Sequence, residues 1–203
     1  MKATARIACA GAIGVALAAC VSLGQQEPQR HYVLEPTAGD KANKAALTRE
    51  ATLLVAPMTA AAFYDTPEIV YSRAPGERAY YQLSTWTERP SRRITDLLIA
   101  RLERAGSFKT VARAASGVQG NLTLNAHLAA FYHDAATSPG RVEVAVVAEL
   151  VDTTQRSLLA RRSFERSANA ATHDAAGAVA AFNQATAQIL DDIVAWVEAT
   201  APR

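Results

Sequence analysis

Residues 121–150 read NLTLNAHLAAFYHDAATSPGRVEVAVVAEL, and their period decides the fold. In the first arm Leu122, Leu124, Ala126, Leu128, Ala130 and Tyr132 share one parity. Asn121, Thr123, Asn125 and His127 share the other. In the second arm Val142, Val144, Val146, Ala148 and Leu150 stand opposite Arg141, Glu143 and Glu149. Successive side chains of a strand point to opposite faces, so each arm predicts a strand buried on one side. Ser138-Pro139-Gly140 supplies turn chemistry between the arms. Ser157 to Arg166 continues as a third strand, after a turn over Asp152 to Gln155. Consecutive alternating strands predict an antiparallel meander with one buried face.

Outward from the meander the period changes. Ala175 to Thr200 carries Val179, Phe182, Ile189, Ile193 and Trp196 as the stripe of a long helix, with alanines for close contacts. Upstream, Ile94, Leu97, Leu98, the stem of Arg101, Leu102 and Ala105 form a second stripe. Pro90 fits its first turn and Gly106 its end. Phe108 to Arg113 resumes strand character. Further back, His31 to Leu34 is a short strand candidate, and ATLLVA (51–56), stopped by Pro57, has the unbroken apolar run of a strand covered on both faces. EIVYSR (68–73) and AYYQL (79–83) flank the turn Ala-Pro-Gly-Glu and predict a hairpin. The string is therefore β-β-β-β-α-β-β-β-β-α. It predicts a single α+β domain, a mixed, largely antiparallel sheet packed against two main amphipathic helices.

The N-terminus belongs to a different world. Lys2 and Arg6 precede a short apolar run, Ile7 to Ala16, which closes on Leu17-Ala18-Ala19-Cys20. About ten apolar residues cannot cross a bilayer, which takes roughly 20. A basic start, a short apolar core and small residues before a cut describe a secretory leader. The Leu-Ala-Ala-Cys order resembles the bacterial lipobox, with Cys20 as the lipidated residue. The other cysteine, Cys9, lies in the segment to be removed, so acylation accounts for a lone cysteine in an exported chain. Two or more acyl chains hold a protein stably where one holds it reversibly. Val21, in place of Asp, favours the outer membrane by resemblance to enteric lipoproteins. The division expected is leader 1–19, acylated cysteine and polar tether 20–30, and one folded domain 31–203. Pro36 to Glu50 reads as a loop.

The chain carries 21 Lys+Arg and 19 Asp+Glu; removing Lys2 and Arg6 with the leader leaves 19 of each. A neutral mature chain lacks the basic face a nucleic acid needs, and Arg89, Arg92 and Arg93 read as the solvated side of a helix. No GxSxG, HExxH, CxxC or Walker-type loop occurs. His127 and His133, six residues apart in one strand, share a face but stand roughly 20 Å apart, too far for one metal. His133-Asp134 reads as a strand-end turn and Asp191-Asp192 as exposed. Neither a catalytic residue, a metal nor a cofactor is expected.

Aromatics offer more. Phe63, Tyr64, Tyr71, Tyr80, Tyr81 and Trp86 crowd into residues 63–86. One reading makes them the core of a hairpin packed on the helix 90–105. The other gives some of them to a partner surface, since tyrosine joins a large apolar body to a polar tip. Tyr80 and Tyr81, adjacent in a strand, point to opposite faces. The candidate surface, for a partner or for self-association, is one of these two with Tyr64 and Asp65.

FYDTPEIVYSRAPGERAYYQLSTWTERPSRRITDLLIARLERAGSFKTV (63–111) resembles the core of the ABC-type transport auxiliary lipoproteins, the PqiC-like group. The matching features are Tyr32 and Leu34 after the cysteine, Leu54 to Pro57, Ile69-Val70-Tyr71, Trp86, Pro90 and Gly106-Ser107-Phe108. DAAGAVAAFNQATAQILDDIVAWV (174–197) resembles the family's terminal helix. The resemblance implies a non-catalytic envelope component that accompanies an ABC permease, its ATPase and a substrate-binding protein with MCE domains. Such systems are thought to move lipids or other hydrophobic molecules between inner and outer membranes. The competing readings are a periplasmic lipid carrier, disfavoured because the apolar excess is mostly alanine, and a lipoprotein of outer-membrane or cell-wall assembly.

Overall fold

The computed structural model describes residues 28–36 and 48–202. The expected leader, Cys20, most of the tether and most of the loop 36–50 lie outside the described residues. The elements are β1 (Arg30–Tyr32), β2 (Arg49–Val55), β3 (Thr59–Ala60), β4 (Glu68–Ser72), β5 (Ala79–Trp86), α1 (Pro90–Ala105), β6 (Phe108–Arg113), β7 (Leu122–Asp134), β8 (Arg141–Asp152), β9 (Ser157–Asn169) and α2 (Ala175–Thr200). Their order is the one the sequence predicts, with one addition. After Pro57 the chain resumes as the two-residue strand β3 instead of ending in a loop.

Strand β7 organises the sheet. One edge pairs antiparallel with β8, which pairs antiparallel with β9, completing the meander. The other edge is shared in succession by β2, β3 and β4, all parallel to it. Strand β6 extends the sheet beyond β2, and β5 then β1 extend it beyond β4. Among the described residues the sheet is thus mixed, its two long ladders antiparallel and its short ones mostly parallel.

The two helices form the second layer. Helix α2 lies on β8 and β9, and α1 packs beside it and against β6. Gly106 ends α1 in the left-handed region at φ 68°, its N–H donating to the Glu103 carbonyl. Asp174 starts α2 by accepting from the Gly177 N–H. Within α1, Thr95 accepts from the Met58 N–H, which fixes the helix to the chain just past Pro57. Arg101 is more than an apolar stem. It is 8 % exposed, donates to the Ala187 carbonyl of α2 and pairs with Asp191. Asp192 pairs with Arg166 of β9. Both acids expected to be merely exposed therefore tie α2 to its neighbours.

Two expectations about side-chain direction are corrected. The alternation of β7 does not run unbroken to Tyr132. Leu128 pairs with Val146 but Ala130 pairs with Ala145, so Ala129 is an extra residue in the ladder. One inserted residue reverses the faces beyond it. Phe131 and His133 are therefore buried, opposite Val144 and Val142, while Ala130 and Tyr132 are only partly covered. For the same reason His127 and His133 do not share a face. Secondly, the aromatic hairpin does not lie under α1. Trp86 of β5 meets Phe131 of β7 at 5.9 Å and Phe182 of α2 at 5.5 Å between ring centroids, so the hairpin packs on β7 and α2.

Candidate functional site

The residues of the predicted surface separate into two environments. Tyr64 ends a short 3-10 turn and is 8 % exposed, its ring stacked on Tyr132 and its hydroxyl accepting from Arg78 Nε at 2.9 Å. The Arg78 guanidinium also lies 3.7 Å from the centre of the Tyr132 ring. Tyr64 is thus a packing residue. Asp65 remains at the surface, 3.8 Å from Arg89. The exposed aromatic of that turn is Phe63, stacked on Tyr80 with ring centroids 4.6 Å apart. Tyr80 is 39 % exposed, and Leu83, farther along β5, is also exposed.

Tyr81 points the other way, as alternation requires. Its ring sits 4.8 Å from that of Tyr71, and its hydroxyl lies 2.7 Å from His133 Nδ1. His133 Nε2 lies 3.0 Å from the Pro139 carbonyl. A carbonyl only accepts, so Nε2 carries the hydrogen, and Nδ1 accepts from Tyr81. The relay runs from Tyr81 through His133 into the 135–140 turn. Burial, with added repulsion from Asp174 and Tyr71, pushes the Tyr81 hydroxyl up to about 12. Burial pushes His133 down from its ordinary value, with the Pro139 carbonyl opposing and His173 assisting. Both shifts hold the neutral forms, so the pair acts as a fixed strut between β5 and β7.

Beside this strut an open groove of about 740 Å³ runs between the start of β1, the β4–β5 hairpin and the start of α2. Arg30, Arg73, Tyr71, Tyr80, Leu83 and His173 are among its lining residues. The sequence reading named Tyr80 and Tyr81 but not the arginines. Arg73 closes an unremarkable strand and Arg30 ends a polar tether, and nothing in the linear pattern joins them. Among the described residues no three His, Cys, Asp or Glu side chains gather in a way that holds a metal ion. None of the described helices is long and apolar enough to cross a membrane.

Comparisons with known proteins agree on the fold. The family model for the ABC-type transport auxiliary lipoprotein component matches residues 32–194. Protein XCC0632 from Xanthomonas campestris, assigned to family DUF330, is 27 % identical, with 84 % of this chain and 95 % of that chain covered and a TM-score of 0.75. An uncharacterized protein of known crystal structure is 17 % identical over 84 % of this chain and 99 % of its own, with a TM-score of 0.66. The hypothetical protein CT253 from Chlamydia trachomatis is 10 % identical over 75 % of this chain and 98 % of its own, with a TM-score of 0.52. No curated protein matches the chain.

Proposed function

The chain belongs to the family of ABC-type transport auxiliary lipoproteins, and we propose on that premise that it is a non-catalytic envelope component of an ABC transport system of the MCE type. In this reading Cys20 is acylated and holds the domain at the periplasmic side of the outer membrane. The folded domain docks on an MCE-domain protein that reaches across the periplasm. The permease and ATPase supply the passage and the energy for moving lipids or other hydrophobic molecules.

The observation that carries the reading is the family match over 32–194, nearly the whole span between the tether and the end of α2. The interior supports docking over carriage. Phe131, Phe182, Leu124, Leu128, Ile189 and Leu190 fill the space between sheet and helix, and the large groove is open and lined by arginines and tyrosines. A wall of that kind cannot enclose an acyl chain away from water.

The test is affinity purification of the acylated protein from solubilised membranes, with identification of what accompanies it. An MCE-domain protein with its permease and ATPase is the expected result. Recovery of outer-membrane or cell-wall assembly factors alone would assign the chain to that class instead. Tyr80→Ala should weaken the association while leaving thermal stability nearly unchanged, because the ring is exposed. Tyr64→Ala should act through stability, because the ring is buried.

A further inference from the structure

We propose that the groove between the start of β1, β4–β5 and the start of α2 binds the phosphate headgroup of an anionic membrane lipid, with Arg30 and Arg73 as the anion-binding residues. The proposal rests on the reading that Cys20 anchors the chain.

The arginines are the first observation. Among the described residues Arg89, Arg92, Lys109, Arg113, Arg141 and Arg161 are surface cations held in ion pairs. Arg30 and Arg73 are among those with no ion pair to a described residue, and these two line one groove. Arg73 lies 5.1 Å from the Tyr71 ring centre, which orients the guanidinium and leaves its donors free for an incoming oxyanion. A guanidinium presents paired N–H donors that match phosphate geometry. The groove's carboxylate, Asp174, accepts from the Gly177 N–H and the Thr172 hydroxyl, and the Arg30 charge adds a smaller attraction to it. It caps α2 and occupies that helix end itself, so the anion site belongs to the arginines and not to the helix terminus.

The edge of β5 is the second. The ladder to β1 begins at Arg30 opposite Ser84, so among the described residues Tyr80 to Leu83 have no strand paired to them on that edge. The exposed Leu83 and Tyr80, with Phe63 stacked on Tyr80, place an amphipathic rim beside the cations. Tyrosine with apolar neighbours is the composition favoured at the headgroup level of a bilayer.

Chain length selects the occupant. Ten residues separate Arg30 from Cys20, and ten residues reach at most about 35 Å. The groove mouth therefore stays within that distance of any bilayer that holds the acyl chains, where lipid phosphates are the abundant anion. Headgroup binding would turn a domain on a leash into one with a fixed orientation.

The experiment uses the processed protein purified from membranes in neutral detergent. It is titrated calorimetrically with dihexanoyl phosphatidylglycerol below its micellar concentration, and separately with glycerol 3-phosphate. The lipid should bind more tightly than glycerol 3-phosphate. Arg30→Ala and Arg73→Ala should each weaken lipid binding by about tenfold, and Arg92→Ala, away from the groove, should not. Unchanged affinity in the folded Arg30→Ala/Arg73→Ala double variant overturns the proposal, and equal binding of both probes overturns the lipid assignment. If the double variant melts early, Arg73→Gln gives the same reading with less disturbance. The mass of the same sample reports acylation of Cys20 independently. Binding without acyl mass would reject the anchor and the membrane occupant argued from it. Acyl mass without binding would reject the groove alone.

Discussion

His133 is held from both ring nitrogens and is 0 % exposed. Its neutral form is the one the fold accommodates, since burial lowers its proton affinity. The unfolded chain then binds a proton that the folded chain refuses. The stability tied to this group is present above the unfolded value, about 6.5, and is lost as pH falls from there towards the lower folded value. Melting temperatures measured from about pH 8 to about pH 5 should fall more steeply for the wild type than for His133→Gln; parallel curves would show that His133 is not the group responsible. Gly140 guards the same strut. Its φ is +83°, and a Cβ there would stand 2.3 Å from the Asp134 carbonyl oxygen and 2.6 Å from His133 Nε2. Gly140→Ala therefore strains the turn and displaces the imidazole. It should cost more than the roughly 1 kcal/mol of an ordinary loop substitution at positive φ; chemical denaturation reads the difference.

At the scale of the element, β7 depends on Ala129. The inserted residue turns Phe131 onto the face where α2 lies, and Phe131 stacks on Phe182 with ring centroids 4.3 Å apart. Deleting Ala129 closes the bulge and leaves Ala130 directly after Leu128, so plain alternation then points Phe131 and His133 inward and Ala130 and Tyr132 outward, with the Ala130–Ala145 pairing kept. The deletion should therefore keep the ring stack and the Tyr81–His133 bond and lose only the local bend. The expected outcome is a cooperative melt at a lowered temperature with the near-ultraviolet signal of the aromatic cluster retained. Loss of that signal would show that the bend at Ala129, and not the parity alone, seats Phe131.

For the molecule as a whole, the cluster of Trp86, Phe131 and Phe182 joins the hairpin, the meander and the terminal helix. Phe182 is fully buried in the middle of it. Phe182→Ala should cost about 3–5 kcal/mol, enough to threaten a domain of marginal stability. Trp196 touches a different layer, edge-on to Phe164 of β9, and keeps 8 % of its surface exposed. Trp196→Ala should therefore cost less, a ranking that urea denaturation of the two variants checks. Membrane attachment is expected to be a separate property of the same molecule. Cys20→Ser should leave the melting of the folded domain unchanged and move the protein out of the membrane fraction after a high-salt wash. Continued pelleting would place the attachment in the fold.

The sequence by itself determined the kinds of element and their order, because those follow from local period. Alternation marked the meander, 3.6-residue spacing marked Pro90–Ala105 and Ala175–Thr200, and proline and glycine marked the ends. It also determined the family, whose model matches residues 32–194. It did not determine that β7 would carry three parallel partners on one edge, since no local rule says which strands meet. It did not determine the phase change at Ala129, because alanine fits either face and a bulge is fixed by the partner strand's register. Tyr64 and Tyr80 look alike in one dimension, yet one is core and the other surface. Arg30, Arg73 and His173 come from three distant segments and share a groove only once β1, β4 and the start of α2 have been brought together. Local period fixes what each segment becomes; contact between segments, which burial and register select only in three dimensions, fixes what each side chain can touch.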